Sequence, residues 1–427
     1  MNRPLRLATF AVPLSGNKGS ASMFLGLRDA FSAAGIDARF AVFSYYPRRD
    51  TAQAAGMDNV TVHPGHPKDI AFKLLPLIVL WRVLPFLVPA KWKRHIQTLR
   101  ESDAVLMIGG TTFEDSMLFK VPWNLLAALP GYLLRRPTLF LSQTMGPLES
   151  RLNRWAARWT LSRAVAVHAR GRRSERWVRS IGIEACEYRP DLSFTMHTPV
   201  FDTIAGENEH LDGFRRAVGQ SGRAPVGVAP NSIVYEKAKK IGKDYIAFLA
   251  GVVEAVYEQG HLPILIPHSY LEDMSTLHNN DRSLCRAVIE RLPAGIEYYY
   301  LDADLSAGYL RTLVGELHLL VASRFHSMIS SLAMGVPPVT YGWGHHKYIE
   351  VLEEFGVPEL YDSFHALDIA DCAAKLQNAH EHREELSQRI RSAYADVKRD
   401  SETVVRTIDG ILSTGAARSG NERMRKE

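Results

Sequence analysis

The chain has 427 residues, of which 46% are hydrophobic and 23% are charged, and its formal net charge at pH 7 is +5. This length exceeds what one hydrophobic core usually supports, so we expect two domains, and the composition excludes disordered and collagen-like proteins. The net charge is small and the basic residues are spread along the chain, which gives no indication of a nucleic-acid partner.

The three cysteines, Cys186, Cys285 and Cys372, lie far apart in the sequence and show no Cys-x-x-Cys or Cys/His spacing. This pattern argues against a disulfide framework and against structural zinc. No His, Asp and Glu residues have the spacing of a catalytic metal site, so we predict neither a metal nor a cofactor. The first residues show no signal-peptide pattern, and we expect a cytoplasmic protein.

The chain begins with the pattern of a parallel sheet. Leu5–Phe10 is an apolar run, residues 15–20 form a polar turn, a helical pattern follows, and residues 38–43 are apolar again. This order predicts a strand–helix–strand unit. Further apolar runs, each followed by a small or polar loop, cover residues 104–108, 138–142 and 164–168. Strands that alternate with helices predict an α/β domain.

Residues 70–90 are rich in Leu, Val and Phe, but Lys73 and Arg82 interrupt them and three prolines break them. A membrane-spanning helix needs about 20 mostly uncharged residues, so we reject one here. A second apolar run, residues 121–134, ends in two arginines. We favour two buried helices with basic side chains at their edges. The alternative is a peripheral contact of residues 70–95 and 121–136 with the inner face of the membrane.

The strand and helix pattern restarts after a polar stretch at residues 203–222. Apolar runs at 226–229, 262–267, 297–301 and 317–322 predict strands, and residues 245–257 predict an amphipathic helix. The predicted organisation is therefore an N-terminal Rossmann-like domain (1–205), a C-terminal Rossmann-like domain (206–375), one or more helices (376–413) and a disordered tail (414–427). Open α/β sheets bind ligands at the carboxyl ends of their strands, so we expect the site in a cleft between the two domains.

The segment from Ser323 to Ser327 carries the strongest chemical signal, because Arg324 and His326 lie two residues apart between a predicted strand and a predicted helix. A helix N-terminus and a guanidinium both favour an anion such as phosphate or carboxylate. The alternative is structural, with Arg324 in an interdomain salt bridge and His326 capping the helix. Lys347 supplies a further cation after the next predicted strand.

Other strand ends carry small and polar residues in a defined order. These are Asn17-Lys18-Gly19, Ile108-Gly109-Gly110 leading to Asp115, Gln143 with Gly146-Pro147, Ala169-Arg170 with Ser174, and Arg324-Phe325-His326 with Gly335-Val336-Pro337. Taken together, this set resembles the polysaccharide pyruvyl transferase family over roughly residues 5–350. Two positions depart from the family pattern: Ser20 stands where Asp is usual, and Thr111 where a third Gly is common.

The resemblance implies two Rossmann-like domains in a GT-B-type arrangement, with the acceptor bound by the N-terminal domain and the donor by the C-terminal one. It implies transfer of a pyruvyl group from phosphoenolpyruvate to a sugar of a cell-surface polysaccharide or lipid-linked glycan precursor, which forms a ketal. We assign catalytic roles to Arg324 as an anion clamp, His326 as general acid or donor ligand, and Asp115 as a base, with helix capping as the alternative for Asp115. Predicted substrate-binding residues are Asn17, Gly19, Gly109, Gly110, Gln143, Arg170, Asn231, His268, Ser323 and Lys347.

Two other functions remain open at this point. The first is a nucleotide-sugar glycosyltransferase of the same two-domain architecture, since fold alone does not decide function. The second is a non-catalytic binding protein of glycan assembly, which the departures at Ser20 and Thr111 keep open. For the transferase, we expect Arg324→Ala and His326→Ala to abolish transfer while the fold stays intact.

Overall fold

A computed structural model describes residues 3–10, 12–198, 208–271, 280–343 and 346–413 of the chain. The chain divides into two compact units. Unit 1 comprises Met1–Ser15, Ser20–Met196 and Lys398–Glu427, and unit 2 comprises Gly16–Gly19 and His197–Val397. The predicted boundary at 205/206 and the predicted tail at 414–427 lie outside the described residues.

The described part of unit 1 holds one parallel sheet. Its strands lie in the order β3-β2-β1-β4-β6-β7-β8, and β5 pairs with the end of β6. The bounds are β1 Leu5–Phe10, β2 Ala38–Ser44, β3 Val60–Pro64, β4 Ala104–Met107, β5 Thr111–Thr112, β6 Thr138–Met145, β7 Ala166–Ala169 and β8 Cys186–Tyr188. The strands predicted at 5–10, 38–43, 104–108, 138–142 and 164–168 are therefore confirmed, with small shifts at their ends.

Helices cover both faces of this sheet. On β4, Val105 and Met107 belong to one apolar core, whereas Ala104 and Leu106 belong to the other. A parallel sheet buried on both sides explains why these strands read as continuous apolar runs. The helices are α1 Lys18–Ala33, α2 Pro47–Gln53, α3 Pro67–Asp69, α4 Leu75–Val83, α5 Ala90–Glu101, α6 Val121–Leu133, α7 Arg151–Leu161 and α8 Arg172–Ser180. A π-helical turn, Ile70–Leu74, joins α3 to α4, and short 3₁₀ turns cover Pro85–Leu87, Asp115–Lys120 and Leu192–Thr195.

Unit 2 holds a second parallel sheet, with the order β11-β10-β9-β12-β13-β14. Its strands are β9 Pro225–Ala229, β10 Leu262–Leu265, β11 Tyr299–Tyr300, β12 Leu319–Ala322, β13 Pro338–Gly342 and β14 Tyr361–Ser363. Its helices are α9 Asn208–Ser221, α10 Ser232–Lys240, α11 Tyr245–Glu258, α12 Asp281–Ile289, α13 Ala307–Gly315, α14 Phe325–Ala333, α15 His346–Glu354 and α16 Ile369–Glu381. Two 3₁₀ turns, Pro358–Leu360 and Phe364–Ala366, flank β14. The prediction of two Rossmann-like sheets is confirmed.

The last helix, α17, runs over Arg383–Ser413 and is divided between the units at Lys398. Its final turns carry Val404, Val405 and Ile408 into the core of unit 1. The helical pattern predicted for residues 376–413 thus consists of two helices, because α16 ends at Glu381.

The apolar run that starts at residue 70 is buried on one face only. Ile70, Leu74 and Ile78 are fully buried, whereas Phe72 and Val83 are exposed. The preferred interpretation of a buried helix therefore does not describe this segment. The second run behaves differently, since α6 buries Val121, Ala127, Ala128 and Tyr132. Among the described residues, no helix combines the length and the apolar character that a membrane span requires.

Candidate functional site

The candidate site lies at the carboxyl end of the unit 2 sheet. The strand order changes direction between β9 and β12, which are neighbours in the sheet although distant in sequence. A crevice opens beyond the strand ends at such a switch point, and α/β proteins bind ligands there. The loop after β9 carries Asn231, and the loop after β12 carries Ser323 and Arg324.

Arg324 is held by a buried carboxylate of its own unit. Its Nε and Nη2 atoms donate to the two oxygens of Asp281 at 2.8 and 2.7 Å, and Nη2 also donates to Ser232 Oγ at 3.1 Å. Arg324 and Asp281 are both buried. Burial raises the pKa of the Asp281 carboxyl, and the bidentate guanidinium opposes that rise. Arg324 therefore forms a salt bridge, but its partner belongs to the same unit, so the interdomain salt bridge of the structural alternative is wrong.

Asp281 was missed by the sequence analysis. It is the first residue of α12 and lies 43 positions before Arg324, so no local motif connects the two. An acidic residue in the first turn of a helix is common, because the helix dipole favours it there. The pairing follows only from the order of strands in the sheet.

Asn231 and Ser323 connect the loops at the switch point. The Asn231 side chain accepts a hydrogen bond from the amide of Ile233 and so caps α10. Its Nδ2 donates to the Ser323 carbonyl at 2.9 Å, and the Tyr348 hydroxyl donates to the same carbonyl at 3.1 Å. The Ser323 hydroxyl is buried beside the Tyr245 hydroxyl, with which it interacts, and it makes no well-formed hydrogen bond within the described residues.

His268, in the loop after β10, is only 5% exposed. Neither of its ring nitrogens makes a well-formed hydrogen bond within the described residues. Burial lowers the pKa of His268 to about 3, with smaller contributions from Arg324, His326 and Lys18, while the Ile266 backbone opposes the shift. The imidazole is therefore neutral at pH 7, and it lies in a positive field. A buried polar side chain without a partner requires a compensating contact, which a ligand would supply.

The segment from Gly16 to Gly19 packs as part of unit 2. Asn17 pairs with Ser269, and the Lys18 amide donates to the His268 carbonyl at 3.3 Å. The buried Lys18 ammonium lies 2.5 Å from an oxygen of Asp304. The Asn17 side chain accepts from the Gly19 amide at 3.0 Å, which caps the first turn of α1. The predicted turn therefore already contains the start of the helix.

Gly19 leaves the space that the His326 side chain fills. A Cβ atom at position 19 would lie within 3.0 Å of three atoms of His326. His326 itself is half-buried in the first turn of α14. Any larger residue at position 19 would displace the imidazole, which gives this glycine of the sequence motif a physical role.

Lys347 lies among aromatic rings. Its ammonium is 4.3 Å from the ring centre of Trp343, 5.2 Å from that of Phe325 and 5.4 Å from that of Tyr348. Lys237 also approaches Trp343, at 4.9 Å. Cation–π contacts of this kind stabilise a buried ammonium. The Lys347 ammonium therefore lies next to Phe325, the first residue of α14.

In unit 1 the predicted residues form a separate hydrogen-bonded network. Arg170 pairs with the buried Asp191 and donates to the Gly110 carbonyl at 2.8 Å and to Thr144 Oγ1 at 3.0 and 3.1 Å. Gln143 accepts from Thr112 and donates to the Met107 carbonyl, both at 2.7 Å. The network fixes the loops that follow β4, β6 and β7.

The glycines and Ser174 fit the same network. A Cβ atom on Gly109 would lie 3.2 Å from Thr112 Cγ2, and the Ser174 hydroxyl accepts from the Met145 amide at 3.0 Å. Thr111, which departs from the family pattern, lies in β5 and pairs with Thr144 of β6. Hydrogen bonds and packing therefore connect these motif residues to one another. The hydrogen bonds described for Arg170 are made to other protein groups, which indicates a structural role.

Asp115 is engaged by backbone and amide donors. Its carboxylate accepts from the amides of Glu149 and Ser150 at 2.6 and 3.0 Å and from Asn153 Nδ2 at 2.8 Å. These groups precede or begin α7, so the geometry matches the capping alternative. Within the described residues, no group of three or more His, Cys, Asp and Glu side chains has the geometry of a metal site.

Comparisons with known proteins agree on the fold and the family. A solved UDP-GlcNAc 2-epimerase from Methanocaldococcus jannaschii has a TM-score of 0.56 at 10% identity, with 94% of this chain and 99% of that chain covered. A solved alpha,alpha-trehalose-phosphate synthase (UDP-forming) from Burkholderia vietnamiensis has a TM-score of 0.56 at 13% identity, with coverages of 98% and 99%. At these identities the likeness concerns the fold alone.

Two sequence comparisons are more specific. The amylovoran biosynthesis protein AmsJ of Erwinia amylovora is 21% identical over 393 residues, which cover 88% of this chain and 92% of that protein. The model of the family described as polysaccharide pyruvyl transferase matches residues 17–346, and this span runs from the Asn17 turn beyond the Arg324–His326 loop. More than half of the chain is matched, in the order in which the site loops occur, and the chain belongs to the polysaccharide pyruvyl transferase family.

Proposed function

We propose that this chain transfers a pyruvyl group from phosphoenolpyruvate to two hydroxyls of a glycan sugar, which forms a pyruvate ketal and releases phosphate. Family membership supports a transferase that modifies a glycan. The single structural observation that supports the donor is the buried and neutral His268, whose ring nitrogens make no well-formed hydrogen bond, beside Arg324, Lys18 and His326. A compact ligand with two anionic groups would satisfy these side chains.

The two cationic side chains of the proposed donor site each form an ion pair with a carboxylate. Arg324 and Lys18 each have a carboxylate partner, Asp281 and Asp304. The hydrogen bonds described for Arg324 use Nε and Nη2, so Nη1 is the atom that we assign to the ligand. The first turn of α14 adds the backbone amides of a helix N-terminus, which favour phosphate or carboxylate.

His326 is our choice for the group that moves a proton. The enol carbon of phosphoenolpyruvate becomes electrophilic when its methylene carbon receives a proton. One sugar hydroxyl then forms a C–O bond to that carbon and loses its proton to His326, the C–O bond to phosphate breaks, and the second hydroxyl closes the ketal as its proton passes to the released phosphate. An imidazole titrates near neutral pH, which suits it to donate the first proton and to recover one from a hydroxyl.

We assign the glycan acceptor to unit 1 and the reaction to the cytoplasm, where the donor metabolite is formed. The Gly109–Gln143–Arg170 network keeps the loops of unit 1 in place, which is a positioning role. Asp115 is not proposed as a base, since its carboxylate already accepts three hydrogen bonds. The base for the hydroxyl is instead His326 after it has given up its proton.

Phosphate release in the presence of phosphoenolpyruvate and a set of bacterial glycan acceptors tests the proposal. We expect His326→Ala to lower the rate by about 10²- to 10⁴-fold, the usual contribution of a positioned acid or base. His210→Ala, which alters an exposed histidine of the same unit, is the matched control and should keep the full rate. Equal rates for the two variants would contradict the role of His326.

Thermal-shift titration separates the donor from the nucleotide-sugar alternative. We expect phosphoenolpyruvate to raise the melting temperature of the wild type and to have a smaller effect on Ser323→Val, which lacks the buried hydroxyl. A shift with UDP-sugars and none with phosphoenolpyruvate would instead support a glycosyltransferase.

A further inference from the structure

One face of unit 1 exposes large apolar side chains that a globular surface rarely leaves in water. Phe72, Val83 and Phe86 are 76%, 71% and 74% exposed, and Val79 and Leu87 are more than half exposed. Positions 72, 79 and 83 recur at helix spacing, on the side opposite the buried Ile70, Leu74 and Ile78. The segment from the π-helical turn through α4 is therefore apolar on two faces, of which the core uses only one.

The neighbouring elements extend this surface. The 3₁₀ turn before α6 exposes Phe119 by 70%, and the first turn of α6 exposes Trp123. On α7, Leu152 and Trp155 are also more than half exposed. Because α6 packs against both α4 and α7, these side chains belong to adjacent elements. We call the exposed side of α4, α6 and α7 with their flanking turns the α4–α7 face.

The charged side chains of the α4–α7 face are mainly basic, although Asp69 pairs with Lys73 at 2.7 Å and Asp115 lies in the turn before α6. Residues 70–100 include six basic and no acidic residues, and residues 116–148 and 150–174 also lack acidic residues. Lys73 and Lys93 extend over the rings of Trp92 and Trp81, at 5.9 and 5.5 Å. Lysines and tryptophans that surround exposed apolar side chains are typical of surfaces that insert into the headgroup layer of a membrane.

A pocket of about 250 Å³ on the same face is suited to a phosphate group. Its lining includes Arg82, Arg135 and Arg163 together with Tyr132 and Trp159, and the described residues that line it include no Asp or Glu. Arg82 donates to the Leu133 carbonyl, and the Arg163 guanidinium stacks on the Trp159 ring at 4.4 Å. Two of the three guanidinium groups are fixed by these contacts, which favours a preorganised anion site.

We propose that the α4–α7 face docks onto an anionic lipid bilayer, with the exposed phenylalanines among the acyl chains and the arginine pocket around a lipid phosphate. A second copy of the chain fits less well, because self-association would bring basic residues against basic residues. Nucleic acid would match the charge but would leave the apolar side chains in water. This proposal does not depend on the donor assigned above.

Vesicle flotation of the full-length protein tests the docking. We expect wild-type protein to float with vesicles of phosphatidylglycerol and phosphatidylcholine, and to float much less with phosphatidylcholine alone. Phe72→Ser/Phe86→Ser should lower the bound fraction about tenfold or more, since two buried aromatic side chains are lost from the interface. Tyr46→Ser/Ile241→Ser removes two exposed apolar residues elsewhere, each 45% exposed, and should float like the wild type.

The charge requirement is tested with Arg82→Glu/Arg135→Glu. This variant should lose the preference for phosphatidylglycerol, and raising the salt from about 0.1 M to about 1 M should weaken wild-type binding, because the Debye length falls from about 10 Å to about 3 Å. Inorganic phosphate at millimolar concentration should not release the protein from vesicles, since the apolar contacts require a bilayer.

Three outcomes would overturn the proposal. The first is a wild type that fails to float with anionic vesicles. The second is an equal loss for the apolar variant and the Tyr46/Ile241 control. The third is an apolar variant that changes the oligomeric state in light scattering while vesicle binding stays the same. Far-UV circular dichroism of every variant shows that a loss of flotation is not a loss of fold.

Discussion

Gly19 and His326 occupy adjoining space in unit 2, although 307 positions separate them in the sequence (326 − 19). The absence of a side chain at position 19 is what allows the imidazole to lie at the start of α14. A glycine near the start of the matched span 17–346 and a histidine near the end of that span are therefore in steric contact. This relationship connects the two ends of the family pattern physically.

Gly19→Ala should displace His326 and reduce phosphate release by at least about tenfold, since a small misplacement of a reacting group can cost about 10²-fold in rate. Gly219→Ala is the control, because nothing lies within 4 Å of a Cβ atom there. As a helical position, it should keep full activity and gain a few tenths of a kcal/mol or more in stability, roughly as helix propensities predict. Steady-state kinetics and urea unfolding measure both effects. An active Gly19→Ala would show that the His326 position does not matter.

Arg324→Ala is now expected to damage the fold as well as the activity, contrary to the expectation from the sequence. The substitution leaves the carboxylate of Asp281 buried without its partner, which typically costs about 3–5 kcal/mol. Arg324→Met/Asp281→Leu removes both charges and should be less destabilised than Arg324→Ala in urea unfolding. If the double variant were the less stable one, the pair would not be the cause.

Binding of phosphoenolpyruvate should take up protons. The pKa of His268 is about 3 in the free protein, so its imidazole is neutral at pH 6–7. A nearby dianion raises that pKa, so the contribution of His268 to the affinity increases as the pH falls. Calorimetry at pH 6 in two buffers with different ionisation enthalpies measures the uptake. His268→Gln should reduce the uptake, and an unchanged value would show that another group titrates.

Acid should destabilise unit 1 through His168. Burial lowers the pKa of this histidine to about 4, below about 6.5 in the unfolded chain, so the unfolded state binds the proton more readily between these values. Stability is therefore complete above pH 6.5 and is lost as the pH falls toward 4, with about 2 kcal/mol lost by pH 5. Urea unfolding at pH 7.5 and pH 5 should show a smaller difference for His168→Gln than for the wild type. An unchanged pH dependence would exclude His168 as its source.

Asp115→Asn separates capping from catalysis. Asparagine keeps one acceptor oxygen but loses the charge, so we expect a stability loss of about 0.5–2 kcal/mol and a rate of phosphate release close to that of the wild type. Thermal unfolding and initial rates provide the two readouts. A loss of rate by two or more orders of magnitude with unchanged stability would restore the role of a base to Asp115.

Much of the fold could be predicted from local pattern. Apolar runs such as residues 38–43 and 138–142 form central strands, because a strand covered on both faces needs apolar residues throughout. The sequence of residues 70–90 did not predict which side chains are buried, because apolar residues occur on both sides of this helical segment. Only the packing of Ile70, Leu74 and Ile78 shows which face is buried.

The sequence by itself determined the family and the two α/β sheets, because motif order and hydrophobic period are properties of the chain alone. The tertiary structure decided which of these residues face one another. It placed Asp281 against Arg324, Gly19 beside His326 and three amide donors on Asp115. Such pairings depend on the order of parallel strands and on the space between side chains, and neither is encoded in the spacing of residues along the sequence.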